Sequence, residues 1–185
     1  VNTDSGKEII TDTIIIATGA QARWLGIESE QKYNGKGVSA CATCDGFFFK
    51  NKNVAVIGGG NTAVEEALYL SNLCKKVTLI HRRDSLRAEK ILQSRLHDKS
   101  NIEILWDTKV DEVLGDGIGV NALKLISTKD NSVSEIDIDG VFVAIGHDPA
   151  TSVFKGKINL DNDNYVITNK GETSTSVPGI FAAGD

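Results

Sequence analysis

Residues 53–84 read NVAVIGGGNTAVEEALYLSNLCKKVTLIHRRD, and along them the spacing of apolar residues changes twice. Val54, Val56 and Ile57 form a short apolar strand, Ala63, Val64, Ala67, Leu68 and Ser71 recur at helical spacing, and residues 77–80 return to a strand. The pattern predicts a βαβ unit whose first turn is built of glycine. Gly58, Gly59, Gly60, Asn61, Thr62 and Ala63 fit GxGxxA at that turn. Without side chains the backbone can turn tightly and approach a pyrophosphate, which then meets the positive end of the helix. Alone the motif is weak, and a plain tight turn is the alternative. The flanking strand and helix supply the context that a dinucleotide site requires.

The second strand selects the nucleotide. An NAD site places a carboxylate about 20 residues on, against the ribose 2'-hydroxyl. Here the strand runs into His81, Arg82 and Arg83, with Arg87 one helical turn later. A carboxylate would repel a 2'-phosphate, whereas guanidinium groups bind it through charge-assisted pairs. Lys75, Lys76, Arg82, Arg83, Arg87 and Lys90 stand against Asp84 and Glu89, a local +4 in a chain of net charge -5. The expected ligand is NADPH; the competing reading is a solvated basic start to a helix.

Outward from this unit, Ser85 offers an N-cap for a helix running to about Asp98, with Ala88, Ile91, Leu92 and Leu96 on one face. Strand patterns follow at IEILW (102–106), from Lys109, from Val120, from Val133 and from Val141, separated by turn residues 115–117 and 129–131. They read as an antiparallel meander returning to a last central strand. IITDTIIIATGA (9–20) and GIFAAGD (179–185) are strands ending on glycine turns, edges of a second domain only partly contained here. Hinges are expected near Arg23 and near His147 to Pro149.

The 185 residues suffice for a compact core, and a net charge of -5 argues against nucleic-acid or acidic-membrane partners. No apolar run approaches the roughly 20 residues of a membrane-spanning helix.

Cys41 and Cys44 form a CxxC with Asp45 directly behind. Structural zinc needs four ligands, yet the remaining cysteine is Cys74 and the three histidines form no metal-type pair, so no metal is expected. A static bridge over so short a loop constrains the unfolded chain little. Thiol exchange suits the spacing better, because CxxC geometry lowers a thiol pKa. Asp45 could move a proton for a departing sulfur, or merely cap a turn. Hydride from a nicotinamide would reach sulfur through an intermediary, of which flavin is the obvious candidate.

GVSACATCDGFFFKNKNVAVIGGGNTAVEEALYLS, HRRDSLRAEKIL, VFVAIGH and PGIFAAGD together resemble the bacterial-type, low-molecular-weight thioredoxin reductases over nearly the whole chain. The resemblance implies an α/β fold: a Rossmann-like three-layer NADP(H)-binding domain with a β-meander (24–146), flanked by partial FAD-binding segments (1–23 and 147–185). It implies that Cys41 and Cys44 form the redox disulfide, Asp45 is the acid/base, and Arg82, Arg83 and Arg87 take the 2'-phosphate. Thr18, Gly19, Gly184 and Asp185 correspond to the family's turns at FAD. The family passes electrons from NADPH through FAD to the disulfide and on to thioredoxin, rotating the NADPH domain between steps; it is homodimeric, and a cytoplasmic location is expected. The family's FAD phosphate loop and C-terminal tail are missing, so the chain reads as an internal piece, inactive alone. The alternatives are the flavoprotein subunit of a peroxiredoxin reductase and a flavin-free NADP-binding module.

Overall fold

The computed structural model describes residues 1–184, which form two compact units, one of residues 22–146 and one of residues 1–21 with 147–184. In chain order, β1 (Ile14–Ile16) and β2 (Ala20–Ala22) are followed by α1 (Glu28–Lys32), β3 (Val38–Ser39) and α2 (Ala42–Asp45). Next come β4 (Asn53–Gly58), α3 (Asn61–Ser71), β5 (Lys76–Ile80), α4 (Lys90–His97) and β6 (Ile102–Leu105). The chain continues through β7 (Thr108–Gly115), β8 (Val120–Ser127), β9 (Val133–Asp137), β10 (Gly140–Ala144), β11 (His147–Pro149) and β12 (Ile180–Ala182).

The larger unit is built on a parallel sheet in the order β3-β10-β4-β5-β6. Successive residues of a strand point to opposite faces, and β4 divides accordingly. Val54 and Val56 pack with Ala63, Val64, Ala67 and Leu70 of α3 and Leu96 of α4. Ala55 and Ile57 pack with Val110, Val113, Leu123 and Leu125 of the meander β7-β8-β9. Helices, sheet and meander make three layers, and β4 is buried on both faces, which explains its nearly unbroken apolar run. Helix α3 meets the sheet through residues spaced i, i+1, i+4 and i+7. Burying a side chain such as Leu70 contributes about 1.5–3 kcal/mol.

Two sequence expectations change. IEILW does not join the meander: β6 pairs in parallel with β5 as the sheet's edge strand. The helix expected from Ser85 begins only at Lys90. Two amides of residues 84–89 instead reach the glycine turn and the start of α3, the Arg87 amide donating to Gly59 O (2.7 Å) and the Glu89 amide to Asn61 Oδ1 (2.8 Å).

Near the unit's entry, the Glu30 carboxylate is only 1% exposed and accepts the amides of Leu25 (2.8 Å) and Gly26 (2.9 Å). Charge-assisted bonds of this kind fix the path of a segment that has no secondary structure of its own. In the smaller unit β1 and β12 pair in parallel, Ile14 beside Ile180, and Ile16 is buried. Among the described residues no helix is long and apolar enough to cross a membrane.

Candidate functional site

Parallel strands that exit side by side bring their following loops together. The chain leaves β4 into Gly58–Gly60, β5 into His81–Arg87, β10 into Ile145 and Gly146, and β3 into the CxxC, all at one end of the same sheet.

The first three loops enclose a cavity of about 550 Å³, lined by Gly58, Gly59, Gly60, Thr62, His81, Arg82 and Arg87, and also by Trp24, Thr108, Lys109 and Gly146. The glycines have distinct duties there. Gly58 has φ +154°, and a Cβ on it would meet the Ala144 carbonyl and Ala63 Cβ. Gly59 lies against the His81 ring, whereas a Cβ at Gly60 would meet nothing within 4 Å. The backbone is therefore compressed on the protein side and open on the cavity side, where α3 begins and its first amides lack intrahelical partners. These residues fit a pyrophosphate at the turn and a phosphate on the arginines.

His81 is buried, its Nε2 3.0 Å from the Ser85 carbonyl and its ring edge-on to Trp106. Burial pushes the imidazole below its ordinary value, and the charges of Arg87 and Arg83 act in the same direction, against hydrogen bonding to Ser85 and Gly58. Not every expected residue faces the cavity. Asn61 braces Glu89, Ala63 is buried beneath Gly58, and Arg83 is not among the lining residues, although its carbonyl accepts the Asp107 amide (3.1 Å). Lys109 and Thr108 carry no sequence signal, being delivered by the turn from β6 into β7.

Cys41 and Cys44 form a disulfide. The Cys44 amide points at Cys41 Sγ (3.2 Å), the Ala42 amide donates to Glu66 Oε1 of α3 (3.3 Å), and Asp45 Oδ2 accepts from the Ser39 hydroxyl (2.7 Å). Cys44 is exposed, and the next turn presents Phe47 and Phe48, 69% and 72% exposed. Cys74 is buried, and burial with the Asp139 charge pushes its thiol up to about 11, so it stays unreactive near neutral pH. Among the described residues no group of three or more His, Cys, Asp or Glu could hold a metal.

In the smaller unit a cavity of about 270 Å³ is lined by Thr18, Gly184, Thr151, Tyr165 and neighbouring residues. Gly19 is not in its lining; it has φ +69° and its carbonyl accepts the Ala150 amide (2.9 Å). Asp185 lies outside the described residues.

A cavity over a glycine turn and a disulfide at one sheet end define a class, and the model of the pyridine nucleotide-disulphide oxidoreductase family matches residues 1–185: the chain belongs to that family. It is 57% identical to the thioredoxin reductase of Rickettsia conorii over 100% of this chain and 60% of that protein. The thioredoxin reductase of Coxiella burnetii is 54% identical over 94% of this chain and 57% of that one. Among solved structures, thioredoxin reductase from Lactococcus lactis superposes with a TM-score of 0.83 at 41% identity, covering 97% of this chain and 59% of that one. The thioredoxin reductase of Giardia duodenalis gives 0.87 at 39% identity, over 99% and 60%. The chain thus spans about three fifths of the length of the relatives it matches.

Proposed function

We propose that this chain supplies the NADP(H) site and the redox disulfide of an NADPH-dependent thioredoxin reductase. The observation that carries the reading is the meeting, at one end of one sheet, of a glycine turn flanked by Arg82 and Arg87 with the Cys41–Cys44 disulfide. When bound, NADPH would supply hydride and FAD would supply the two-electron link between that hydride and sulfur. Arg82 and Arg87 hold the 2'-phosphate, and the amides at the start of α3 hold the pyrophosphate. Thr18 and Gly184 belong to the flavin side of the protein, in the smaller unit. Asp45 exchanges the proton that a cysteine sulfur loses or gains.

Once the disulfide is open, the Cys44 amide stabilises a thiolate on Cys41 by hydrogen bonding, as a charged acceptor prefers. Cys41 then attacks the partner's disulfide, and Cys44 resolves the mixed disulfide so that the partner leaves as a dithiol. A protein partner is favoured by Phe47 and Phe48, because adjoining exposed aromatic rings beside a reactive site are typical of interface anchors. The relatives named thioredoxin reductase support thioredoxin as that partner. The whole protein is proposed to act as a cytoplasmic homodimer.

The test is direct. The chain, reduced at Cys41 and Cys44 and freed of reductant, is mixed with oxidised thioredoxin, and thiols on each are counted after an acid quench. Transfer of two electrons to thioredoxin is expected. A chain that stays reduced, or gives its electrons equally to any exposed disulfide, overturns the assignment.

A further inference from the structure

We propose that Ser39 is a positioning residue for the redox pair: its hydroxyl fixes the Asp45 carboxylate and leaves Oδ1 as the oxygen that handles the exchanged proton. The inference rests on the reading of Asp45 as the acid/base of this site.

Ser39 ends β3, is 8% exposed, and is held in register beside Phe142 of β10. Its Oγ has three polar neighbours: Asp45 Oδ2 at 2.7 Å, the Cys41 amide nitrogen at 3.1 Å and the Cys41 carbonyl oxygen at 3.4 Å. A hydroxyl has one proton and two lone pairs. The Cys41 amide can only donate, so it occupies a lone pair, and the hydroxyl proton goes to the nearer, charged acceptor, Asp45 Oδ2. A proton placed on that same oxygen would compete with the serine hydrogen, which leaves Oδ1 for it. An aspartate side chain turns readily about its last bond. Here the carboxylate and the Cys41 amide are both tied to a single atom on a sheet strand, the kind of support that a reacting group needs.

Reduction of the chain by dithiothreitol exercises these groups without nucleotide or flavin. A reagent thiolate, its proton released to solvent, attacks one sulfur, the S–S bond breaks, and its electron pair goes to the other cysteine sulfur, which takes a proton that Asp45 Oδ1 relays from solvent. The reagent's second thiolate then attacks the mixed disulfide, closes a cyclic disulfide and releases the other cysteine. The protein gains two electrons and two protons, both protons coming from the reagent's thiols by way of solvent, Asp45 ends as the carboxylate it began as, and the dithiol is oxidised.

Rates are compared by quenched alkylation for the native chain, S39A, S39C, S39T, D45N and S39A/D45N, with melting curves to check the fold. D45N slows reduction about a hundredfold, and S39A about tenfold, the effect of losing one bond to a charged group. S39C, near-isosteric but a poor donor, shows the same loss, whereas S39T keeps the hydroxyl and recovers most of it. The double variant is no slower than D45N, because Ser39 acts through Asp45. With D45N slow, a wild-type rate in S39A or a multiplicative loss in the double variant overturns the role of Ser39 while leaving that of Asp45. A wild-type rate in D45N removes Asp45 from the chemistry, and the proposal with it.

Discussion

Cofactor choice should be separable, residue by residue, within the arginine loop. Arg82 and Arg87 line the cavity at the glycine turn and Arg83 does not, although all three occur in one short run of sequence. A hydrogen bond to a charged group contributes about 1.5–3 kcal/mol, and both side chains are solvent-exposed, so the lower figure applies to each. Removing both in Arg82→Ala/Arg87→Ala should therefore reduce the preference for NADP+ over NAD+ by about 3 kcal/mol, roughly 150-fold at 1.4 kcal/mol per decade. Either single variant should lose about tenfold, and Arg83→Ala should stay within about threefold of native. The assay is calorimetric titration of the chain with each nucleotide at one fixed, moderate salt concentration, repeated at higher salt to confirm that the lost component is electrostatic. NAD+ affinity should be little changed throughout, since it has no 2'-phosphate. An unaltered NADP+ to NAD+ ratio in the double variant, or an Arg83→Ala loss as large as that of Arg87→Ala, would refute the argument.

Two further outcomes follow from the same loops. Gly58→Ala should destabilise the chain by about 2–5 kcal/mol in urea denaturation, combining a strained positive φ with a collision against Ala63 and the Ala144 carbonyl; a loss under about 1 kcal/mol would mean that the turn relaxes freely. The folded chain holds His81 below its ordinary 6.5, so under acid conditions the unfolded chain takes up a proton there that the folded chain resists. Stability should accordingly be fully present above about pH 6.5 and fall as the pH drops through that value toward the depressed folded one. His81→Phe should lessen this fall between pH 7 and pH 5 in denaturant titrations, and an equal fall in both proteins would show that the imidazole is not held neutral.

The βαβ unit was legible because its two periods are sharp and glycines mark the change between them: Val54 to Ile57 lie in a strand, and Ala63 to Ser71 in a helix, as the spacing required. The three layers were legible only through the family resemblance, because residue spacing shows the strands of the meander but not which face of the parallel sheet they cover. What failed were features set by distant partners. Ser85 has the chemistry of a helix cap, but the backbone of 84–89 bonds to Gly59 and Asn61 instead, so a local propensity yielded to a tertiary contact. IEILW alternates as well in a parallel edge as in a meander, and nothing in five residues distinguishes the two. At the site, the glycines, arginines and CxxC announced themselves by motif. Ser39, Glu66 and Lys109 did not, because each owes its position to a neighbouring strand or helix and none belongs to a spaced pattern. Glu30 was hidden for a related reason: a glutamate in a short polar helix looks solvated until its two backbone partners are seen.

The bonds between the glycine turn and residues 81–89 bear on any attempt to redesign this protein for the other nicotinamide. The Arg87 amide is fastened to Gly59, the Glu89 amide to Asn61, and the His81 ring occupies the space that a side chain at position 59 would fill. A graft of 82–87 alone would import a loop whose anchor, Gly59, remains on a different segment, 28 residues before Arg87. On the proposed reading, cofactor preference is a cassette in two pieces, and exchanging it would require transplanting the turn at 58–61 together with the strand end at 81–89.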